Sequence, residues 1–211
     1  MTVSSMFRRP ERNHVVAPLV RGWAHLRPML HGEKEPLLAV FDGLSQISRA
    51  HRYLTGMANL PAAMLAQLVD IDGCNHVAWV ATVDGQPVGI GRYVRTDAAT
   101  AEVAFEVTDT HQGRGLGTVL LDTLTTVAHA NGVRRIRATV LPKNDASRRL
   151  MAHAGVALTP NYGVLDGEAD LRLLDLPRVD RSAVLALTRQ HHRATGRKPC
   201  PDAGLSAPEP A

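Results

Sequence analysis

The chain of 211 residues is short of several residue types, and each shortage excludes a class of protein. It has two cysteines, Cys74 and Cys200, which lie far apart. A disulfide framework or a zinc site needs more cysteines or closely paired ones. We therefore expect two free thiols, a reducing compartment and a cytoplasmic protein. No apolar run of about 18 residues is present, so the sequence predicts no membrane-spanning helix. No apolar segment follows the N-terminal arginines, so it predicts no secretory signal.

Aromatic residues and lysines are also scarce. Aromatics make up 4% of the chain, so the core must consist mainly of Leu, Val and Ala. The net charge of +4 favours a polyanionic ligand, but the basic residues are spread without a block, which argues against a nucleic-acid partner. The pair His191-His192 has no further ligands at a recognisable spacing, so we expect no metal.

The spacing of apolar residues indicates alternating helices and strands. Predicted helices cover 33–44, 45–54, a stretch from residue 61, 115–130, 144–154 and 181–193, and predicted strands cover 23–28, 76–83, 86–95, 101–108, 134–141, 156–165 and 169–176. Turns are expected at 84–85 and 166–168. This order predicts an α/β (α+β) fold, a mixed and mostly antiparallel sheet of about seven strands with helices on both faces. We expect one domain over 20–177, an arm over 1–19, and an extension over 178–211 with one helix and a disordered tail.

A glycine-rich loop between a strand and a helix predicts a phosphate site. The loop consists of Gln112, Gly113, Arg114, Gly115, Leu116 and Gly117, followed by Thr118. Unpaired N–H groups and the positive end of the helix dipole favour an anion there, and Arg114 adds a charged donor. A Walker A loop would need a lysine before Thr118, and a Rossmann loop would need a different glycine spacing and a later acid. A plain glycine-rich helix start is the alternative.

The residues around this loop resemble a known superfamily. The stretch AEVAFEVTDTHQGRGLGTVLLDTLTTVAHANGVRRIRATVLPKNDASRRLMAHAG is similar to the GNAT acyltransferases, with the likeness extending over about 22–176. FDGLSQISRAHRYL, NHVAWVA, GIGRYVR and AEVAFEV further resemble the catalytic domain of actinobacterial protein lysine acetyltransferases that cyclic nucleotides regulate. We expect no nucleotide-sensing domain before Trp23. The resemblance implies a GNAT-type sheet, acetyl-CoA or another acyl-CoA as cosubstrate, and a monomer or homodimer.

The resemblance also implies roles for the strand before the loop. Glu102 corresponds to the family's general base, which acts directly or through a water, although it could instead pair with Arg92. The backbone N–H of Glu106 should face the thioester carbonyl, and its side chain could attract the substrate, act as a secondary base, or be a solvated strand residue. Main-chain groups of Val107 and Thr108 should run beside the pantetheine arm.

Further roles follow for the next helix. Asn144 should contact the pantetheine, cap the helix, or both, and Ser147 is expected to bind the cofactor with it. Many relatives have a tyrosine that protonates the leaving thiolate, but Met151 stands at that position. Arg148 and Arg149 could meet the CoA 3′-phosphate, though a solvated basic face is the better interpretation. His111 is interpreted as a loop surface residue.

The sequence therefore predicts an enzyme that transfers an acetyl group to a primary amine. The leading candidate for the acceptor is a protein lysine. A small-molecule amine is the nearest alternative, because the GNAT scaffold serves many acceptors. A non-catalytic acyl-CoA sensor is another, and a nucleic-acid-binding protein is the weakest.

Overall fold

A single twisted sheet of eight strands organises the protein, as seen in a computed structural model that describes residues 13–194 and Cys200. The strands lie side by side in the order β1-β2-β3-β4-β5-β6-β8-β7. They are β1 (Val15–Pro18), β2 (Trp23–Pro28), β3 (His76–Val83), β4 (Gln86–Arg95), β5 (Thr100–Val107), β6 (Arg135–Val140), β7 (Thr159–Asn161) and β8 (Val164–Asp170). The helices are α1 (Glu35–Asp42), α2 (Gln46–Tyr53), α3 (Ala62–Val69), α4 (Leu116–Ala130), α5 (Asp145–His153) and α6 (Arg181–Ala194).

Both faces of the sheet are covered, because side chains of neighbouring strand residues point to opposite faces. On β3, Trp79 belongs to a core cluster that includes Leu120 and Leu124 of α4. Its neighbour Val80 belongs to a second cluster with Leu37 and other residues of the α1–α3 side. The mixed sheet with helices on both faces confirms the predicted fold class.

The sheet splits between β5 and β6, the one parallel pair in it. The two strands pair only at Thr100–Glu102 with 135–137, although β5 continues to Val107 and β6 to Val140. Residues 103–107 therefore pair with β4 alone, and a gap opens on their other side. This gap leads to the start of α4.

The predicted elements agree with the structure except near the C-terminal strands and at β1. Two long strands around a turn at 166–168 were expected, but the turn lies at Tyr162 and Gly163, and β8 runs through 166–168 to Asp170. The predicted turn is wrong because Gly167 is a packing position rather than a turn residue: an added Cβ would lie 2.5 Å from the carbonyl oxygen of Ala157. The segment expected as an N-terminal arm contains β1, which pairs with β2.

The C-terminal extension packs on the back of α4. Asp122 of α4 is fully buried and accepts hydrogen bonds from the backbone N–H groups of Arg178 and Val179 and from the guanidinium of Arg181, at 2.6 to 3.1 Å. The helix predicted over 181–193 is α6. The expected disordered tail lies outside the described residues, except for Cys200.

The two cysteines form a disulfide between Cys74 and Cys200, so the expectation of free thiols is wrong. The two residues are 126 positions apart in sequence. Spacing rules could not detect this pair, because tertiary packing of the C-terminal extension brings Cys200 to the loop before β3. The inference of a reducing compartment depended on free thiols and does not follow. Among residues 13–194 and Cys200, no helix is long and apolar enough to span a bilayer.

Candidate active site

A cavity of about 470 Å³ lies at the gap between β5 and β6. Its walls come from α2, the end of β5, the glycine-rich loop, the first turn of α4, and α5. The residues that line it include Ser48, His51, Arg52, Phe105, Glu106, Val107, His111, Gln112, Gly113, Gly115, Leu116, Gly117, Thr118, Asn144, Ser147 and Arg149. The structure thus brings most of the predicted site residues together, and adds the face of α2.

The glycine-rich loop leaves the N-terminus of α4 open to an anion. Gly113 and Gly115 have φ of +73° and +92°, a region that L side chains rarely adopt. A Cβ added at either would meet nothing within 4 Å, so the space above the loop is free. The first helical bond runs from Val119 N–H to Gly115, and among residues 13–194 no side chain caps the N–H groups of residues 116–118. These donors fit a diphosphate.

The two long side chains of the loop support its backbone. The amide of Gln112 donates to the carbonyl of Val107 at 3.1 Å and also meets Asp109 and Ser48. Arg114 donates to the carbonyl of Thr110 at 2.8 Å. Leu116 is buried in the core, so it can offer a ligand only its N–H group.

At the open edge of β5, Val107 presents its main chain to the gap. The N–H of Thr108 donates to the carbonyl of Val88 on β4 at 2.9 Å. In an antiparallel pair, the backbone N–H groups of every second residue point towards the partner strand, and those between point away from it. The N–H of Glu106 therefore points towards β4, whereas that of Val107 points into the gap, on the side where its carbonyl accepts from Gln112. The geometry favours Val107 over Glu106 as the donor that faces a thioester.

The two glutamates of β5 occupy different surroundings. Glu102 is exposed, lies at the last position that pairs with β6, and is not among the residues that line the cavity. Glu106 lies in the split part of the strand, is 3% exposed, and lines the cavity. A base must be within reach of the proton it removes; Glu106 lies beside the cavity with a fully buried side chain, and Glu102 is exposed outside its lining.

Two residues that sequence reasoning did not place in the site, Tyr53 and Arg92, lie against the carboxylate of Glu106, and His76 lies against Arg92. The hydroxyl of Tyr53 donates to Oε2 at 2.8 Å. Nη2 of the buried Arg92 lies 3.6 Å from Oε1, an ion-pair distance longer than a hydrogen bond. Arg92 thus faces Glu106, and not Glu102 as the alternative prediction had it. Nη1 of Arg92 lies 3.2 Å from Nε2 of His76.

Burial shifts the pKa values of Tyr53 and Arg92. Burial, followed by the charge of Glu106, raises the pKa of Tyr53, so its hydroxyl remains a donor at neutral pH. Burial lowers the pKa of Arg92 to about 10, against the opposing effect of Glu106, and Arg92 is still charged at neutral pH. The only sequence signal for Arg92 was a charged residue inside an otherwise apolar strand.

Residues of α5 form the opposite wall. Oδ1 of Asn144 accepts from the N–H of Ser147 at 3.0 Å, which makes Asn144 the N-cap of α5 at the edge of the cavity. Met151 is buried in the core. Arg149 lines the cavity, whereas Arg148 is paired with Asp145 on the surface.

His111 also lines the cavity, with Nδ1 3.0 Å from the hydroxyl groups of Thr108 and Thr110. Within the described part of the chain, no group of three or more His, Cys, Asp and Glu could hold a metal ion.

The fold and the loop define a class of protein, and comparison with known families agrees. Residues 46–156 match the model of the Acetyltransferase (GNAT) family, more than half of the chain, so the protein belongs to the GNAT acetyltransferases.

Individual relatives support this placement. Acetyltransferase Pat of Mycolicibacterium smegmatis is 35% identical over 160 residues, which cover 72% of this chain and 47% of that protein, so the match spans about half of that relative's length. An acetyltransferase of Pseudomonas aeruginosa is 34% identical over 158 residues, covering 72% of this chain and 85% of that protein. The GNAT domain of S. lividans PAT superposes with a TM-score of 0.70 at 30% identity, covering 77% of this chain and 99% of that domain.

Proposed function

We propose that the protein transfers the acetyl group of acetyl-CoA to a primary amine, and that the acceptor is a protein lysine. The observation that carries this proposal is the buried carboxylate of Glu106 in the same cavity as the open N-terminus of α4. The lysine acceptor is supported by the resemblance to actinobacterial protein lysine acetyltransferases and by the match to the GNAT domain of S. lividans PAT.

The reaction needs a neutral amine, and a lysine side chain has a pKa of about 10.4. Glu106 accepts a proton from the amine, directly or through a water. The amine nitrogen then attacks the thioester carbonyl, the C–N bond forms, and the C–S bond breaks to release the CoA thiolate. The N–H of Val107 stabilises the oxyanion of the tetrahedral intermediate. The N–H groups of residues 116–118 hold the CoA diphosphate, and Asn144 and Ser147 flank the pantetheine arm.

Two isosteric variants on one strand test the base. Glu106→Gln should lower kcat by about 10²–10⁴-fold and leave the affinity for acetyl-CoA unchanged, because the phosphate loop is intact. Glu102→Gln is the matched control and should retain wild-type turnover. Turnover is measured as thiol release with lysine-containing proteins and, separately, with small amines.

Each outcome has a clear meaning. Loss of activity in Glu102→Gln but not in Glu106→Gln would restore the sequence-based assignment of the base. Turnover with small amines alone would refute the lysine acceptor. Tight CoA binding without turnover of any amine would indicate a non-catalytic acyl-CoA sensor.

A further inference from the structure

Helix α2 forms a wall of the cavity and buries none of its eight residues. Packing in the core therefore does not explain the position of its polar side chains. Ser48, His51 and Arg52 line the cavity. They stand at i, i+3 and i+4, which places them on one face of the helix. Because the CoA arm is proposed to lie against α4, Val107 and α5, the α2 wall is left to face the acceptor.

The guanidinium of Arg52 is held by stacking and not by hydrogen bonds. Its central carbon lies 4.9 Å from the ring centre of Tyr53, which is a cation–π distance. Nε is covered by protein and has no hydrogen-bond partner among the described residues. The two Nη groups are accessible, and within the same part of the chain they make no hydrogen bond or ion pair. Arg52 thus brings to the cavity charged donors that the protein itself leaves unused.

Two arginines stand beside one carboxylate at this end of the cavity. Glu106 is paired with Arg92, with 3.6 Å between Oε1 and Nη2. Burial lowers the pKa of Arg92 to about 10, Glu106 opposes this shift, and the charge of Arg52 adds to it. Arg52 is therefore close enough to Arg92 for the two charges to repel each other. Helix α2 contains no acidic residue, so a positive charge remains uncompensated at its cavity face.

We infer that Arg52 determines the specificity for the acceptor: it selects an amine that carries a carboxylate close to the reacting nitrogen. A guanidinium binds a carboxylate through two parallel N–H···O bonds, and the carboxylate supplies the missing negative charge. Its source is an acidic residue beside the lysine of a protein, or the α-carboxylate of a free amino acid. This inference rests on the proposed acyl transfer to an amine, and it does not depend on which glutamate acts as the base.

Paired acceptors that differ in their carboxylates measure this selection. The first pair is a blocked peptide with a single lysine between two Asp residues, and the same peptide with Asn in their place. The second pair is free lysine and lysinamide. With the wild-type enzyme, kcat/KM from thiol release should favour the acid of at least one pair by about tenfold or more. A preference within the peptide pair identifies a flanking acidic residue, and a preference within the second pair alone identifies a small amino acid.

Variants of α2 attribute the preference to one side chain. Arg52→Gln should bring the ratio of acid to amide close to unity, because the acid loses its counter-charge and the amide has none to lose. Arg52→Lys keeps the charge without the paired donors and should retain part of the preference. Arg49→Gln is the matched control on the same helix: the Arg49 guanidinium lies 4.1 Å from the ring centre of Phe41 and does not line the cavity. This control should keep the wild-type ratio.

The inference is overturned without any variant if the wild-type enzyme acetylates acid and amide equally well in both pairs. It is also overturned if Arg52→Gln keeps the wild-type ratio, or if this variant acetylates acid and amide more slowly to the same extent, since that would indicate a structural role. The proposed function fails in a different way. In that case no amine, acidic or neutral, is acetylated although CoA still binds, and the inference falls with it.

Discussion

The hydroxyl of Tyr53 donates a 2.8 Å hydrogen bond to Oε2 of Glu106, joining α2 to the split part of β5. The contact joins two walls of the cavity at the gap between β5 and β6. Tyr53→Phe removes only this donor, and a hydrogen bond to a charged group is worth about 1.5–3 kcal/mol. We expect kcat to fall by about tenfold or more, measured by thiol release. Tyr162→Phe, at the exposed β7–β8 turn, should be silent. Equal activity of the two variants would contradict this coupling.

The affinity of the glycine-rich loop for CoA should depend on the backbone conformation of Gly115. With φ at +92°, Gly115→Ala costs about 1–2 kcal/mol unless the loop rearranges. Rearrangement would turn the N–H groups of residues 116–118 away from the diphosphate, so affinity for CoA should drop about tenfold. Gly132→Ala, at φ +85° beyond the other end of α4, carries similar strain and should bind CoA normally. Calorimetric titration distinguishes the two, and unchanged affinity in Gly115→Ala would remove the loop from the site.

Folding stability should depend on pH through His76. Burial holds its folded pKa below the ordinary 6.5, so the unfolded chain binds more protons in that window and stability rises with pH. The contribution is complete above about pH 6.5 and is lost as pH falls through and below that value. His76→Gln should thus be most destabilising at pH 7 and less so at pH 5. Urea midpoints at both pH values measure this, and an equal penalty at both would argue against a neutral buried imidazole.

Removing the charge of Asp122 should weaken the packing of the C-terminal extension on α4. Asp122→Asn leaves Arg181 without its buried partner, and breaking a buried pair typically costs about 3–5 kcal/mol. Denaturant unfolding should show this loss. Glu168→Gln breaks the exposed pair with Arg135 and should cost about 0–1 kcal/mol. Similar values for the two variants would mean that Asp122 does not hold α6 against α4.

The disulfide should stabilise the fold from the far end of the chain. It closes a loop with 126 residues of separation, and a loop of that size is worth about 3–5 kcal/mol. Cys200→Ser or reductant should lower the free energy of unfolding by this amount, and reductant should have no further effect on Cys200→Ser. Alkylation of two thiols in the native, unreduced protein would show that the bond does not form.

Local patterns predicted most of the fold. The turn at Asp84-Gly85 and the alternation of β3 and β4 fixed both strands to the residue, and the helix α4 was bounded by Gly115 and Asn131-Gly132. These signals come from neighbours in sequence, which is why they could be recognised. At the C-terminal strands a glycine required for packing was mistaken for a turn, because its contact with Ala157 is not local.

The sequence by itself determined the class of sheet, the glycine-rich loop before α4, and the two glutamates of β5 as candidates. Only the tertiary structure distinguishes the surroundings of those glutamates, since burial depends on which part of β5 leaves β6 and which part α2 covers. The same is true of Tyr53 and Arg92 beside Glu106, of His76 beside Arg92, and of the bond between Cys74 and Cys200. Each of these joins residues that are distant in sequence, and their proximity is a product of the assembled sheet rather than of any local pattern.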